Sequence, residues 1–244
     1  MGKILKKQRL SFEDRRSQIL GAAVPMFASQ GFKGLTTKEL AKRAGVSEAL
    51  LYQHYPSKEA LYEAVQDYFC ERSPELRAML QGLTPSSETL VVLFYVLSLL
   101  VIAPPKGLED GSVVFPRLLL HSLLDDGVFA RLHRDRRMGP VSELVHQSLA
   151  AARACGDLGD DDCMPDDLRF SFAHHVLIMV RINQMPTPPL IDYPPPQDLL
   201  DHQMRFCLRG MGFTPAAIRK YYRPEALFTQ VSAWLKPPPS SEHL

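Results

Sequence analysis

The stretch TTKELAKRAGVSEALLYQHYPSK, residues 36–58, predicts two short helices joined by a tight turn. Thr36 and Glu39 have the spacing of a capping box, in which each side chain accepts a hydrogen bond from the other residue's backbone N–H. Gly45 stands where a helix ends in the left-handed conformation, which glycine adopts without strain. Ser47 is a favourable N-cap for a second helix. Two helices around a glycine-containing turn form a helix-turn-helix.

The second helix is expected to run from Glu48 to about His54 and to have one core side and one outward side. Leu51 and Tyr55 fall on the core side, which leaves Leu50 pointing outward. Ser57 then caps a further helix. In a helix-turn-helix the second helix enters the major groove of DNA with its first residues on the base edges.

The segments around this motif carry further recognisable positions. In order along the chain these are an amphipathic first helix, a Gly-Phe link, a Thr-Thr cap, a Leu-Tyr pair and a Ser-Lys-Glu start of the next helix. The matching residues are Phe27, Gly31, Phe32, Thr36, Thr37, Glu39, Leu40, Ala41, Gly45, Val46, Ser47, Leu51, Tyr52, Tyr55, Lys58, Glu59 and Leu61. They resemble the N-terminal domain of TetR/AcrR-family transcriptional regulators, over residues 12–62 or about a fifth of the chain.

The resemblance implies a set of DNA-facing side chains. Those expected at phosphates are Thr37, Tyr52, His54 and Lys58. Those expected at base edges are Lys38, Ser47, Glu48, Ala49, Leu50 and Gln53. Lys38 can donate to guanine, Gln53 can pair with adenine, and Glu48 can accept from the N4 amino group of cytosine. Structural alternatives remain for Tyr52 as a packing aromatic, for His54 as a charge at a helix C-terminus and for Glu48 as a first-turn acid.

Charge is unevenly distributed, although the chain of 244 residues has a net charge of only +1. Residues 1–60 contain 11 Lys and Arg against 5 Asp and Glu, and the remainder contains 17 against 22. A basic N-terminal region on an acidic body suits phosphate binding at one end. The alternative is a basic tail that is simply solvated.

Helical patterns dominate the chain, so we expect an all-α protein with an N-terminal three-helix helix-turn-helix domain and a larger helical domain for effector binding and dimerisation. The expected divisions are a disordered basic arm at 1–11, the DNA-binding domain at 12–60, the second domain at 61–236 and a disordered tail at 237–244. Helices are predicted at 13–30, 58–72, 87–103, from 112 or 116 to 124, 127–154, 168–184, 198–211, from 215, and 224–235. A mild bend is expected at Pro25 in the first of these. Segments 73–85, 156–167 and 186–196 are predicted as loops.

The resemblance also implies a small-molecule pocket and a homodimer. The expected pocket residues are Phe94, Tyr95, Ser98, His121 and Met179, which combine apolar walls with a few polar groups. The expected dimer contacts are Phe172, Leu177, Met204, Phe206 and Leu208. For each of these residues an ordinary place in the monomer core is the alternative.

Other classes of site have little support in the sequence. The adjacent pair His174-His175 diverges on a helix and does not suit one metal ion, and the acidic run 160–162 lacks the spacing of a calcium loop. We therefore expect no catalytic residue, no metal and no cofactor. The apolar stretch 90–103 is too short to cross a bilayer, and the four cysteines form no CxxC pair. Together with the lack of a secretory pattern in MGKILKKQRL, this predicts a cytoplasmic protein without a membrane partner.

The function expected from the resemblance is a dimeric repressor that binds a palindromic double-stranded operator and leaves it when a small, apolar or aromatic effector binds. Three alternatives remain open. They are an activator of the same fold, a helical small-molecule binding protein whose DNA head is vestigial, and an enzyme built on a helical scaffold.

Overall fold

The structure, a computed structural model, describes residues 10–71, 74–104, 109–125, 127–135, 139–159 and 164–235. Across these ranges the chain forms helices and no strand, apart from one isolated antiparallel bridge between Leu158 and Phe213. The predicted all-α class is therefore confirmed. The helices are α1 (Phe12–Gln30), α2 (Thr37–Ala44), α3 (Glu48–His54), α4 (Lys58–Glu71), α5 (Pro74–Gly82), α6 (Ser87–Ile102), α7 (Glu109–Leu124), α8 (Val128–His133), α9 (Gly139–Ala154), α10 (Asp166–Gln184), α11 (Pro196–Gly210), α12 (Pro215–Tyr221) and α13 (Pro224–Ser232).

The chain divides into two compact units. The first contains the described residues up to Phe69 together with Arg117–Ala130, and the second contains Cys70–Pro116 together with the described residues from Arg131 onwards. The first unit thus holds the helix-turn-helix, most of α4 and the segment where α7 ends and α8 begins. The predicted domain limits at 60 and 61 remain a prediction.

The first unit is built around aromatic and aliphatic side chains of α1, α3 and α4. Ile19 and Phe27 on α1 and Leu51 on α3 are fully buried. The Phe27 ring lies 4.8 Å from the ring of Tyr62 on α4, and Tyr62 lies 5.1 Å from Phe129 at the start of α8. Burial of these large rings, together with the apolar side of α1, stabilises the first unit.

The second unit has α6 at its centre. Almost every residue from Leu90 to Ile102 is buried, and α9, α10, α11, α12 and α13 pack against this helix. Ser86 caps its N-terminus by accepting from the Thr89 N–H at 3.1 Å. The buried helix predicted at 87–103 is confirmed. A helix that is apolar on all sides must be covered on all sides, which places α6 at the core.

Three predictions on secondary structure are wrong. Residues 73–85, predicted as a loop, contain α5, Pro74–Gly82. The single helix predicted at 127–154 is two helices, α8 and α9, and Pro140 lies in the first turn of α9, where a missing N–H is tolerated. Helix α7 begins at Glu109, earlier than predicted, and runs through Pro116.

Some predictions concern residues that the structure does not describe. The arm at 1–9, the acidic residues 160–163 and the tail from 236 fall outside the described ranges. Among the residues described, no helix is both long enough and apolar enough to cross a membrane.

Candidate nucleic-acid interface

The start of α2 is held by the predicted capping box. Glu39 Oε2 accepts hydrogen bonds from the Thr36 N–H at 2.9 Å and from the Thr36 hydroxyl at 2.7 Å, and Thr36 Oγ1 accepts from the Glu39 N–H at 3.2 Å. The hydrogen bonds from the Thr36 side chain and backbone lower the pKa of Glu39. Because these contacts are local in sequence, the motif was readable without the fold.

The turn between α2 and α3 depends on Gly45, which has φ 68° and ψ 31°. The following N–H, that of Val46, donates to the carbonyl of Ala41 at 2.9 Å. Gln18 on α1 donates from Nε2 to the carbonyl of Ala44 at 2.8 Å, so a long-range contact closes the end of α2. The predicted glycine turn is confirmed, and α1 fixes its position.

Helix α3 has the core side that the sequence predicts. Ser47 Oγ accepts from the Leu50 N–H at 3.1 Å and caps the helix. Leu51 and Tyr55 are buried, whereas Leu50 is partly exposed. The Tyr55 hydroxyl donates to the carbonyl of Arg16 at 3.2 Å, which anchors the end of α3 to α1.

The outward surface of α2 and α3 carries most of the predicted DNA-facing residues. The exposed ones are Lys38, Ser47, Glu48, Ala49, Tyr52 and Gln53, and the partly exposed ones are Thr37, Leu50 and Lys58. The Tyr52 hydroxyl donates to Thr37 Oγ1 at 3.2 Å, and Thr37 Oγ1 donates to Glu48 Oε2 at 3.4 Å. Nine of the ten residues predicted to face DNA therefore lie in the first unit with side chains that are at least partly exposed.

His54 is the exception among them. Its side chain is only 6% exposed, and its ring centroid lies 4.3 Å from that of Phe12. Its carbonyl accepts from Arg16 Nη1 at 3.2 Å. His54 therefore packs between α1 and α3, and its contact with a phosphate remains a prediction. A sequence pattern could not show this, because Phe12 lies 42 positions earlier in the chain.

Lys58 has partners inside the protein. Its Nζ donates to the carbonyl of Leu35 at 2.6 Å and lies 4.3 Å from the ring centroid of Phe32. Burial lowers the pKa of Lys58, while nearby acids oppose that change. The ammonium group therefore fastens α4 to the link between α1 and α2, and a phosphate contact by Lys58 stays a prediction.

The five predicted pocket residues are divided between the two units. Phe94, Tyr95 and Ser98 are buried on α6 in the second unit. Met179 on α10 also belongs to that unit but is 52% exposed. His121 belongs to the first unit, where its Nδ1 would lie 3.3 Å from a Cβ added at Gly31. Their grouping into one pocket remains a prediction.

Tyr222 is an interior polar residue that the sequence did not suggest. Its hydroxyl is buried beside the carboxylate of Asp201, whereas the buried hydroxyl of Ser98 has no hydrogen-bond partner. Its ring lies 6.4 Å from that of Tyr95, and burial, followed by the charge of Asp201, raises the pKa of Tyr222. Tyr222 is the C-cap residue of α12, and no sequence pattern at such a position indicates a pocket residue.

The predicted dimer residues separate into core and surface. Leu177, Met204 and Leu208 are fully buried within the single chain, so they are corrected to monomer core. Phe172 on α10 and Phe206 on α11 are 49% and 63% exposed. A surface cavity of about 590 Å³ on α11 is lined by His202, Arg205, Phe206, Arg209 and Gly210.

These features define a class of protein: an all-helical chain whose N-terminal unit presents a helix-turn-helix with an accessible second helix. Residues 19–65 match the family model described as "Bacterial regulatory proteins, tetR family". The match covers the helix-turn-helix and the helices on either side of it, 47 of the 244 residues.

Curated relatives are similar over the same region, and a solved structure shares the fold. The nucleoid occlusion factor SlmA of Marinomonas sp. (strain MWYL1) is 47% identical over 58 residues, which are 24% of this chain and 29% of the relative. The HTH-type transcriptional activator FasR of Mycolicibacterium smegmatis is 47% identical over 57 residues, 23% of this chain and 26% of the relative. The chain thus matches less than a third of the length of these relatives. A bacterial regulatory protein in the tetR family from Rhodococcus RHA1 superposes with a TM-score of 0.59 at 19% identity, covering 82% of this chain and 98% of that one, so the fold is shared.

Proposed function

We propose that this protein is a dimeric DNA-binding transcriptional repressor that a small molecule releases from its operator. The observation that carries the proposal is the helix-turn-helix itself, with the side chains of Lys38, Glu48, Ala49 and Gln53 exposed on one domain of the TetR family. A second helix of this kind fits the major groove and reads bases with its first residues.

Base reading in this proposal falls to Gln53 and Lys38, and phosphate contacts fall to Thr37 and Tyr52. Gln53 is exposed near the end of α3, where its amide can pair with N6 and N7 of adenine. Tyr52 is 44% exposed, so its hydroxyl can reach a phosphate at the edge of the groove. The charge excess in residues 1–60 supports association with the phosphate backbone.

Dimerisation is proposed through the exposed apolar face of α10 and the neighbouring α11. On α10, Leu168, Phe172, His175 and Met179 are exposed and repeat at helical spacing, so they form one stripe. Phe206 is exposed on α11, which packs against α10. An apolar stripe of this kind is costly to leave in water, and a two-fold copy of the same face covers it.

The effector site is proposed in the interior of the second unit, beside α6. Phe94 and Tyr95 supply aromatic surface there. The buried hydroxyl of Ser98 has no hydrogen-bond partner, and such a group gains free energy when a ligand or water supplies one. The buried hydroxyl of Tyr222 adds a second polar group beside Tyr95. An effector with an apolar body and one or two polar atoms suits these residues.

The DNA-binding proposal is tested with a labelled duplex taken from upstream of the protein's own gene and a scrambled duplex of the same composition. The protein should bind the first more tightly by electrophoretic shift, and Gln53→Ala should reduce the ratio of the two affinities. Lys42→Ala is the matched control, since Lys42 is exposed on α2 outside the predicted contact set. It should weaken binding to both duplexes alike. If the dimer binds neither duplex at low salt, the proposal is wrong.

The dimer proposal is tested by sedimentation at micromolar concentration. Phe172→Glu and Phe206→Glu should each shift the protein to monomer, because a carboxylate would be buried in the interface. Phe228→Glu is the control, because Phe228 is an exposed aromatic on α13. Equal behaviour of all three variants would show that the α10–α11 face is not the interface.

A further inference from the structure

Three side chains on the outward surface are joined by hydrogen bonds that run in one direction. The Tyr52 hydroxyl donates to Thr37 Oγ1 at 3.2 Å, and the Thr37 hydroxyl donates to Glu48 Oε2 at 3.4 Å. A carboxylate only accepts and a hydroxyl has a single proton. Because Thr37 gives its proton to Glu48, it can only accept from Tyr52. The carboxylate therefore sets the direction of both hydroxyl protons.

This direction works against contact with a DNA backbone. A phosphodiester oxygen is also an acceptor only, so it needs the protons that Thr37 and Tyr52 direct towards Glu48. A phosphate that approaches Thr37 must compete with the carboxylate, and it also meets a like charge. The exposed acid is thus placed where it weakens the phosphate contacts expected from its two neighbours.

We propose that Glu48 holds the Thr37 and Tyr52 hydroxyls away from phosphate and thereby disfavours DNA of arbitrary sequence. At a matching site the N4 amino group of a cytosine occupies the carboxylate and releases both hydroxyls to the backbone. Base reading and phosphate contact are then coupled through one hydrogen-bond chain. This inference rests on the proposed DNA-binding function and adds a source of selectivity to it.

The sign of the effect separates this role from a simpler one. If Glu48 were only a first-turn acid that stabilises α3, its removal would loosen the helix and weaken all DNA binding. In the proposed role its removal strengthens binding to non-matching DNA. A gain in affinity cannot arise from a damaged fold.

The experiment measures the affinity of the full-length protein for a random-sequence duplex by fluorescence anisotropy at low salt. Glu48→Ala should bind about tenfold more tightly, the equivalent of about one net hydrogen bond together with the loss of a repelling charge. In the Thr37→Val background the gain from Glu48→Ala should fall to that of Glu13→Ala, which removes an exposed acid from the start of α1. The part of the gain due to charge should fade with added salt, and the part due to the hydroxyls should persist.

A second substitution covers a loss of folding in Glu48→Ala. In Glu48→Gln the amide oxygen still accepts from Thr37, so the chain of hydrogen bonds remains and the affinity should match that of Glu13→Ala. An equal gain with and without the Thr37 hydroxyl, or a Glu48→Gln gain as large as that of Glu48→Ala, would overturn the inference. If the wild type binds the duplex and Glu48→Ala binds it no more tightly, this inference is overturned and the proposed function is not. Failure of every variant to bind would overturn the proposed function as well.

Discussion

Replacing Lys58 by methionine removes the ammonium group and keeps most of the aliphatic stem. Two contacts are lost. One is the hydrogen bond from Nζ to the Leu35 carbonyl at 2.6 Å, and the other is the cation–π contact of Nζ, which lies 4.3 Å from the ring centroid of Phe32. Both contacts join α4 to the link between α1 and α2. The substitution therefore tests whether this lysine stabilises the DNA-binding head.

The expected loss of unfolding free energy is about 2 kcal/mol, since a charged hydrogen bond contributes about 1.5–3 kcal/mol and an exposed cation–π contact about 0.5–1 kcal/mol. The desolvation that lowers the pKa of Lys58 opposes these terms, so we take the lower part of their sum. A loss of about 2 kcal/mol changes the folding equilibrium by a factor of about 30.

The assay is urea unfolding followed by circular dichroism, because the single tryptophan, Trp234, reports on the second unit. Lys42→Met is the matched control, an exposed lysine on α2, and should change stability by less than about 0.5 kcal/mol. If Lys58→Met is as stable as Lys42→Met, the two contacts contribute nothing net and the reasoning fails. The same two variants also test whether Lys58 contacts a phosphate. Loss of such a contact would reduce the slope of log affinity for DNA against log salt concentration by about one unit.

Three further predictions concern two glycines and one partly buried histidine. Gly45→Ala should lower stability by about 1–2 kcal/mol in the same urea assay and weaken DNA binding, because φ is 68° there; stability equal to wild type would contradict this. Gly212→Ala should cost about 3 kcal/mol, because φ is 94° and the new Cβ would lie 2.5 Å from Nη1 of the buried Arg169; a loss no larger than that of Gly45→Ala would show that Arg169 moves aside freely. Burial, with a smaller effect of His175, lowers the pKa of His174 from 6.5 to about 4. The unfolded chain therefore binds this proton first as the pH falls, so stability should decline by up to about 3 kcal/mol between pH 6.5 and 4. His174→Phe should remove that part of the decline and His175→Phe should keep it, as measured by thermal unfolding across this pH range.

The parts of the DNA-binding head that could be predicted are those whose causes are local. Thr36 and Glu39 are three positions apart, and Gly45 needs only its own backbone to end a helix. The division between Leu50 and Leu51 follows from helical geometry, and the structure agrees with it. Each of these features depends on neighbours within a few residues.

The error at α5 has a local cause, because a proline suits the first position of a helix as well as a loop, and α5 begins at Pro74. Other features depend on residues far apart in the chain. The ring of His54 packs against that of Phe12, which no local pattern indicates. Leu177 and Met204 were indistinguishable in sequence from Phe172 and Phe206, because the direction of an apolar side chain depends on which helix packs against which face.

The sequence by itself determined the helical class, the helix-turn-helix and the outward side of its second helix, because caps, glycine turns and helical periodicity act within one or two turns of chain. Only the tertiary structure decided how individual polar groups are used. It placed the Lys58 ammonium on the Leu35 carbonyl, buried His54, and joined Tyr52 and Thr37 to Glu48. A hydrogen bond requires donor and acceptor atoms to lie within a few tenths of an ångström of their preferred separation. Residues far apart in the chain reach that separation only once the helices have packed.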